Sequence, residues 1–135
     1  MRKSLESAVI LALWLTFAVI AGIIVYEQSK YLSRVSFRAS ASIFLSRLHS
    51  LILKTNYIKY ISYRLSIPKI LVKSKVLINS TALRLVKEKE TVIVKIKDLR
   101  ILSKEYLLNS TNITIIIYRR KSGEIEVKIM ESYQP

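Results

Sequence analysis

The chain has 135 residues, enough for one membrane helix plus one modest domain and too few for two independently folding globular units. Its 23 Lys and Arg outnumber its 9 Asp and Glu and give a formal net charge of +14, so anionic or uncharged partners are expected. There is no Cys, and His49 and Asp98 are the only residues of their types. No disulfide, thiolate metal site, histidine metal cluster or catalytic triad can be assembled, and we expect neither a cofactor nor an enzyme.

Residues 7–26 form an uncharged apolar run between Glu6 and Glu27. At about 1.5 Å per helical residue the run spans about 30 Å, the thickness of the hydrocarbon core of a bilayer. Thr16 is the clearly polar side chain inside the run, and its hydroxyl can donate to a carbonyl one turn earlier. The run therefore predicts a transmembrane helix.

A short basic segment precedes the run. Arg2 and Lys3 come before Ser4, Leu5 and Glu6, and no small-x-small cleavage site follows the apolar residues. This arrangement resembles the class III signal peptide of archaeal type IV pilin-like proteins. The resemblance implies a leader of residues 1–4, cleavage between Ser4 and Leu5 by a prepilin peptidase, and an assembly helix over residues 5–26.

The resemblance also implies a role for Glu6. Members of this family often carry a carboxylate near the mature N-terminus, where it pairs with the amine of a neighbouring subunit. Cleavage after Ser4 would make Glu6 the second residue, which is earlier than in bacterial pilins. The alternative is that Glu6 lies among lipid headgroups near Arg2 and Lys3.

The helix is expected to continue over residues 27–67, because no Gly or Pro occurs between Gly22 and Pro68. An amphipathic seam recurs there at spacings of four and three, with two polar interruptions. Its members are Phe37, Ala41, Phe44, Leu48, Leu51, Thr55, Ile58, Ser62 and Leu65. Two interpretations remain open: the seam packs on the chain's own domain, or it packs against neighbouring subunits. On the second, Phe37, Phe44, Leu48 and Leu51 are assembly residues.

Residues 68–135 predict a small antiparallel β head domain. The run 69–78 is rich in Ile, Val and Leu, and two hairpins are expected, 82–86 with 91–97 and 113–119 with 124–129, the second turning at Gly123. Alternation places Glu124, Glu126 and Lys128 outward; residues 99–108 fit either a helix or a strand. The predicted fold is α+β, a long N-terminal helix packed on an antiparallel sheet, as in pilins and pseudopilins.

Three sequons favour an extracellular and glycosylated head. Asn79, Asn109 and Asn112 each begin Asn-x-Ser/Thr. The alternative is that they are turn residues without a glycan. The basic flank of Lys30, Arg34 and Arg38 points the other way, because positive charge beside a membrane helix favours the cytoplasmic side.

Tyr57, Tyr60 and Tyr63 interleave with Lys59 and Arg64. Aromatic residues among cations are typical of surfaces that bind nucleic acid or anionic glycans. The same spacing also suits tyrosines that pack on the sheet, and this is the preferred interpretation.

Together these features predict a structural subunit, major, minor or pseudopilin, of an archaeal type IV pilus-like extracellular filament or its membrane base, possessing no catalytic or metal site. Its expected partners are the membrane, copies of itself or other pilin-like subunits, the prepilin peptidase, and an assembly ATPase with its platform protein. The alternative is a permanently anchored single-pass membrane protein, such as an archaellum accessory protein, whose basic head binds an envelope partner, nucleic acid or another anionic surface.

Overall fold

The computed structural model describes residues 2–97 and 99–132, which divide into two compact units, one up to Val35 and one from Ser36 onward. The described residues form one long helix, a short 3₁₀ helix over Lys69–Leu71 and seven strands. The long helix, α1, covers Arg2–Lys54; the strands are β1 (Tyr60–Ser66), β2 (Lys75–Ile78), β3 (Ala82–Lys87), β4 (Glu90–Lys95), β5 (Lys104–Leu107), β6 (Asn112–Arg119) and β7 (Ile125–Glu131). The α+β fold class expected from the sequence is confirmed.

Helix α1 ends earlier than predicted. Its last residue is Lys54, and a tight turn follows in which Thr55 donates both its backbone N–H and its hydroxyl to the Ile52 carbonyl, at 3.1 and 2.6 Å. The prediction of a helix over residues 27–67 is therefore wrong beyond Lys54. Residues 60–66, with two Tyr and two Ser, form a strand instead because β6 offers them an antiparallel partner, and β propensity depends strongly on such pairing.

The strands of the second unit form two antiparallel sheets rather than one. The first sheet has the order β1-β6-β7, and the second has the order β4-β3-β2-β5. In the first sheet Tyr60 lies opposite Tyr118, and Ser66 lies opposite Asn112. This pairing joins segments far apart in the chain, and no local sequence pattern specifies it.

Both predicted hairpins are present. β3 and β4 pair from Lys87 opposite Glu90 back to Ala82 opposite Lys95, so that Glu88 and Lys89 make the turn. β6 and β7 flank a turn in which Gly123 adopts a φ of +91°, a conformation that glycine accepts at little cost. The run 69–78, rich in Ile, Val and Leu, contains the 3₁₀ helix followed by β2, and residues 99–108 contain β5.

One hydrophobic core joins the helical and sheet parts of the second unit. Helix residues Phe44, Leu45 and Leu48 belong to it, together with residues of the first sheet such as Ile115 and of the second such as Leu85. All five side chains are less than 5 % exposed. Burial of such side chains is worth about 1.5–3 kcal/mol each, and it holds the end of α1 to both sheets.

Candidate membrane helix, leader and head surface

The apolar run of α1 offers its side chains to the surroundings on all sides. Within residues 7–26 every side chain is exposed except that of Ala21, which is half-buried. Trp14, Phe17 and Val25 are each 64–66 % exposed. Among the described residues, α1 is the one helix long and apolar enough to cross a membrane. A helix that is apolar all round has no polar face to turn to water and needs lipid or other apolar helices around it.

The polar side chains of this segment satisfy themselves within the helix. Thr16 donates its hydroxyl to the Ala12 carbonyl at 2.8 Å, as expected, and Ser7 does the same with the Lys3 carbonyl at 2.8 Å. Lys30 lies over the ring of Tyr26, 4.4 Å from its centroid, where the apolar run ends. The hydroxyls of Ser7 and Thr16 are therefore both hydrogen-bonded within the helix, as an apolar environment requires.

The residues around the predicted cleavage site are exposed. Ser4, Leu5 and Glu6 lie in the first turns of α1, and Leu5 is 68 % exposed. Glu6 lies three and four residues after Lys3 and Arg2, a spacing that places all three side chains on neighbouring positions of the helix surface.

The amphipathic seam packs inside the chain's own head. Phe37, Phe44, Leu48 and Leu51 are 4, 3, 0 and 7 % exposed. They form part of the hydrophobic core and do not make an exposed stripe for a second subunit. The predicted seam is buried as far as Thr55. Beyond it Ile58 is 53 % exposed, and Leu65 is buried but belongs to strand β1 and not to the helix.

The three sequon asparagines occupy different environments. Asn79 is half-buried, and its Oδ1 accepts hydrogen bonds from the backbone N–H groups of Thr81 and Ala82 at 2.9 and 2.8 Å, as in an Asx turn. Asn112 is half-buried at the start of β6. Asn109 is exposed, in a shallow cleft that Lys69, Lys73 and Lys87 also line, and is the most accessible of the three.

The tyrosines predicted to pack on the sheet are exposed instead. Tyr57 is 92 % exposed, Tyr60 59 % and Tyr63 45 %. The preferred interpretation is wrong for Tyr57 and Tyr60, because its spacing of three assumed a helix; Tyr63 shares a face of β1 with Ile61 and the buried Leu65. Tyr57 lies in the turn after α1, and the outward positions of β1 carry Tyr60 and Arg64.

A buried polar cluster, which the sequence did not reveal, surrounds Glu126. Glu126 is 4 % exposed, although alternation predicted an outward, solvated side chain. Its Oε2 accepts hydrogen bonds from the Tyr118 hydroxyl and from Nε and Nη2 of Arg120, the latter two at 2.9 and 2.7 Å. Lys104 Nζ lies 3.8 Å from its Oε1. Partners from β5, β6 and the β6–β7 turn thus enclose the carboxylate, and of these the cross-strand register places only Tyr118 opposite Glu126.

The cluster shifts the titration of its members. The hydrogen bonds from Tyr118 and then from Arg120 hold the pKa of the Glu126 carboxyl below its ordinary value. The pKa of Tyr106, whose hydroxyl donates to the Val127 carbonyl at 2.6 Å, is raised by burial and then by the neighbouring charge of Glu126. The carboxyl group of Glu126 is therefore ionised in the folded chain at neutral pH.

His49 lies half-buried on α1, and Asp98, the one aspartate, lies outside the described residues. Within residues 2–97 and 99–132, no group of three or more His, Asp and Glu side chains is placed so that it could hold a metal ion. Comparison with known proteins found no matching family model, no matching curated protein and no matching solved structure.

Proposed function

We propose that this chain is a structural subunit of an archaeal type IV pilus-like extracellular filament or of its membrane base, without catalytic activity or cofactor. One observation carries the proposal. A single unbroken helix is apolar and exposed all round over residues 7–26, and then buries one face in an antiparallel β head from Phe37 onward. The class III leader before it supplies the step that would release the helix for assembly.

The exposed helix supports an assembly mechanism with two environments. In lipid, neighbouring helices gain little hydrophobic stabilisation from each other, because lipid tails are as apolar as their side chains. Outside lipid the same surface has to be covered, and separating two subunits in water would expose it again at about 25 cal/mol per Å². An assembly ATPase with its platform protein would drive the transfer, after which water exclusion keeps the subunits together.

Cleavage of the leader is the direct test. Mass spectrometry of the protein from its native host should show a mature chain that begins at Leu5. Ser4→Leu should remain uncut, because the residue before the cleavage site is expected to be small, whereas Ser7→Leu should be processed normally. A native chain that still begins at Met1 or Arg2 would contradict the proposal.

The basic flank favours a second candidate, a permanently anchored single-pass protein whose head binds a partner. Lys30, Arg34 and Arg38 follow the apolar run closely, and all three are exposed. The topology of the head separates the filament from the form of this candidate whose head is cytoplasmic, as the basic flank indicates. The chain has no Cys, so Ser122→Cys in the exposed β6–β7 turn creates a single thiol. A membrane-impermeant maleimide should label it in intact cells if the head is extracellular; labelling only after lysis would exclude the filament.

A further inference from the structure

Four cations and two exposed tyrosines meet where α1 ends and the β6–β7 hairpin turns. We call this surface the cationic corner; it consists of Lys54, Tyr57, Lys59, Tyr60, Arg119 and Lys121. The backbone N–H of Arg119 donates to the Lys59 carbonyl at 3.1 Å, and Arg119 Nη2 donates to Asn56 Oδ1 at 2.7 Å. These two bonds fix the turn after α1 against the end of β6, so residues distant in sequence form one surface.

The tyrosines of this corner present their rings to the surroundings. Tyr57 is 92 % exposed, which is unusual for a large aromatic side chain that could otherwise bury its ring. Tyr60 is 59 % exposed at the start of the free edge strand β1. Exposed aromatic rings among cations are the elements on which unpaired bases stack.

The charge of the corner is strongly positive. Segments 54–60 and 119–124 contain five cations and one carboxylate, Glu124. Arg120 is held by Glu126, 2.7 Å away. In the described part of the chain, none of Lys54, Lys59, Arg119 and Lys121 lies within ion-pair distance of a carboxylate. These four charges are therefore available to an anionic ligand.

We propose that the cationic corner binds single-stranded nucleic acid, with phosphates at its cations and bases stacked on Tyr57 and Tyr60. A duplex hides the faces of its bases, and an anionic lipid headgroup has no planar ring to stack, so neither uses the exposed tyrosines. The cationic corner does not depend on filament assembly, since all its residues belong to the second unit, from Ser36 onward.

The test measures the affinity of the full chain, in detergent micelles, for a fluorescent oligothymidylate of about 20 nucleotides, by fluorescence anisotropy over a range of salt concentrations. Binding should weaken steeply with salt. The triple variant Lys54→Gln, Lys59→Gln, Lys121→Gln should bind at least about tenfold more weakly and lose about 2 from the log–log salt slope. The control Lys89→Gln, Lys95→Gln, Lys97→Gln removes the same charge from exposed positions outside the corner and should change affinity far less.

The tyrosines distinguish base stacking from charge alone. Tyr57→Ala should weaken binding by about five- to a hundredfold, the range for loss of one stacked base, while Tyr57→Phe should retain most of the affinity. Tyr31→Ala, at a 66 % exposed site on α1, should have no effect. Equal effects of both lysine triples, no effect of Tyr57→Ala, or displacement of the oligonucleotide by dextran sulfate as readily as by unlabelled oligothymidylate would each overturn the proposal. Circular dichroism of every variant confirms that the fold is retained.

Discussion

Glu126 shows how a single side chain can depart from the alternation of its strand. It lies opposite Tyr118 on the face where solvent was expected, yet Tyr118, Arg120 and Lys104 converge on it. A carboxylate excluded from water is tolerated when charged and hydrogen-bonding groups surround it, and it becomes costly to disturb.

Replacement of Glu126 by Gln should lower the melting temperature of the head by several degrees at pH 7, since the charge that Arg120 and Lys104 face is lost. Thermal unfolding followed by circular dichroism checks this. Glu105→Gln is the matched control: Glu105 pairs with Lys75 at 3.7 Å with both side chains largely exposed, and should change the melting temperature little. Equal effects of the two variants would contradict a structural role for the cluster.

The Glu126 cluster also predicts a pH dependence. The pKa of Glu126 is lower in the folded chain than its ordinary value of 4.5, so the folded state binds fewer protons. Its stabilisation is therefore present above about pH 4.5 and lost as the pH falls through the folded pKa. The difference in melting temperature between the unaltered chain and Glu126→Gln should be largest at pH 7 and shrink towards pH 3. A difference that stays constant would show that the carboxylate charge is not responsible.

At the scale of elements, sequence patterns predicted the features that depend on residues close together in the chain. The apolar run, the seam from Phe37 to Thr55 and both hairpins follow from periodicity and turn residues, and the structure contains them. The end of α1 and the division into two sheets could not be predicted in this way, because they depend on the pairing of β1 with β6, more than forty residues later in the chain. Of the cationic corner, the sequence indicated Tyr57, Lys59 and Tyr60 but not Arg119, since Arg119 reaches Asn56 only through that pairing.

The seam of α1 should be the most sensitive part of the helix. Leu48 is fully buried, so Leu48→Ala should reduce the free energy of unfolding by about 2–5 kcal/mol. Leu53→Ala, at a 42 % exposed site on the same helix, should cost much less. Urea unfolding followed by tyrosine fluorescence measures both; similar losses would show that the helix does not pack on the head as described.

The β3–β4 turn offers a stabilising change. Glu88 has a φ of +53°, which is unfavourable for most side chains and is tolerated best by Gly, Asn and Asp. Glu88→Asn should therefore increase the free energy of unfolding by about 0.5 kcal/mol. Lys89→Asn, in the same turn but without a positive φ, should give no gain, and an equal gain would assign the effect to something other than the backbone.

At the scale of the whole molecule, α1 combines an exposed apolar run with a segment that packs in the core, and substitutions can alter each part separately. Lysines in the apolar run cost about 2.5–3.5 kcal/mol each at the centre of a bilayer, so Leu13→Lys with Ile20→Lys should shift the protein from the membrane pellet to the supernatant after alkaline extraction. Ser29→Lys with Ser36→Lys has the same spacing at exposed positions beyond the run and should stay in the pellet. Retention of the first variant would contradict a membrane span.

The change of environment along α1 also determines which substitutions homologues of this chain can accept. Over residues 7–26 no face is distinguished, so exchanges among Ile, Leu, Val and Phe should be tolerated at nearly every position, and charges at almost none. From Phe37 to Ile52 tolerance should instead rise and fall about every 3.6 residues, following the buried face. In homologues, selection should thus preserve the apolar composition of the first part of the helix and the identity of the buried positions in the second part.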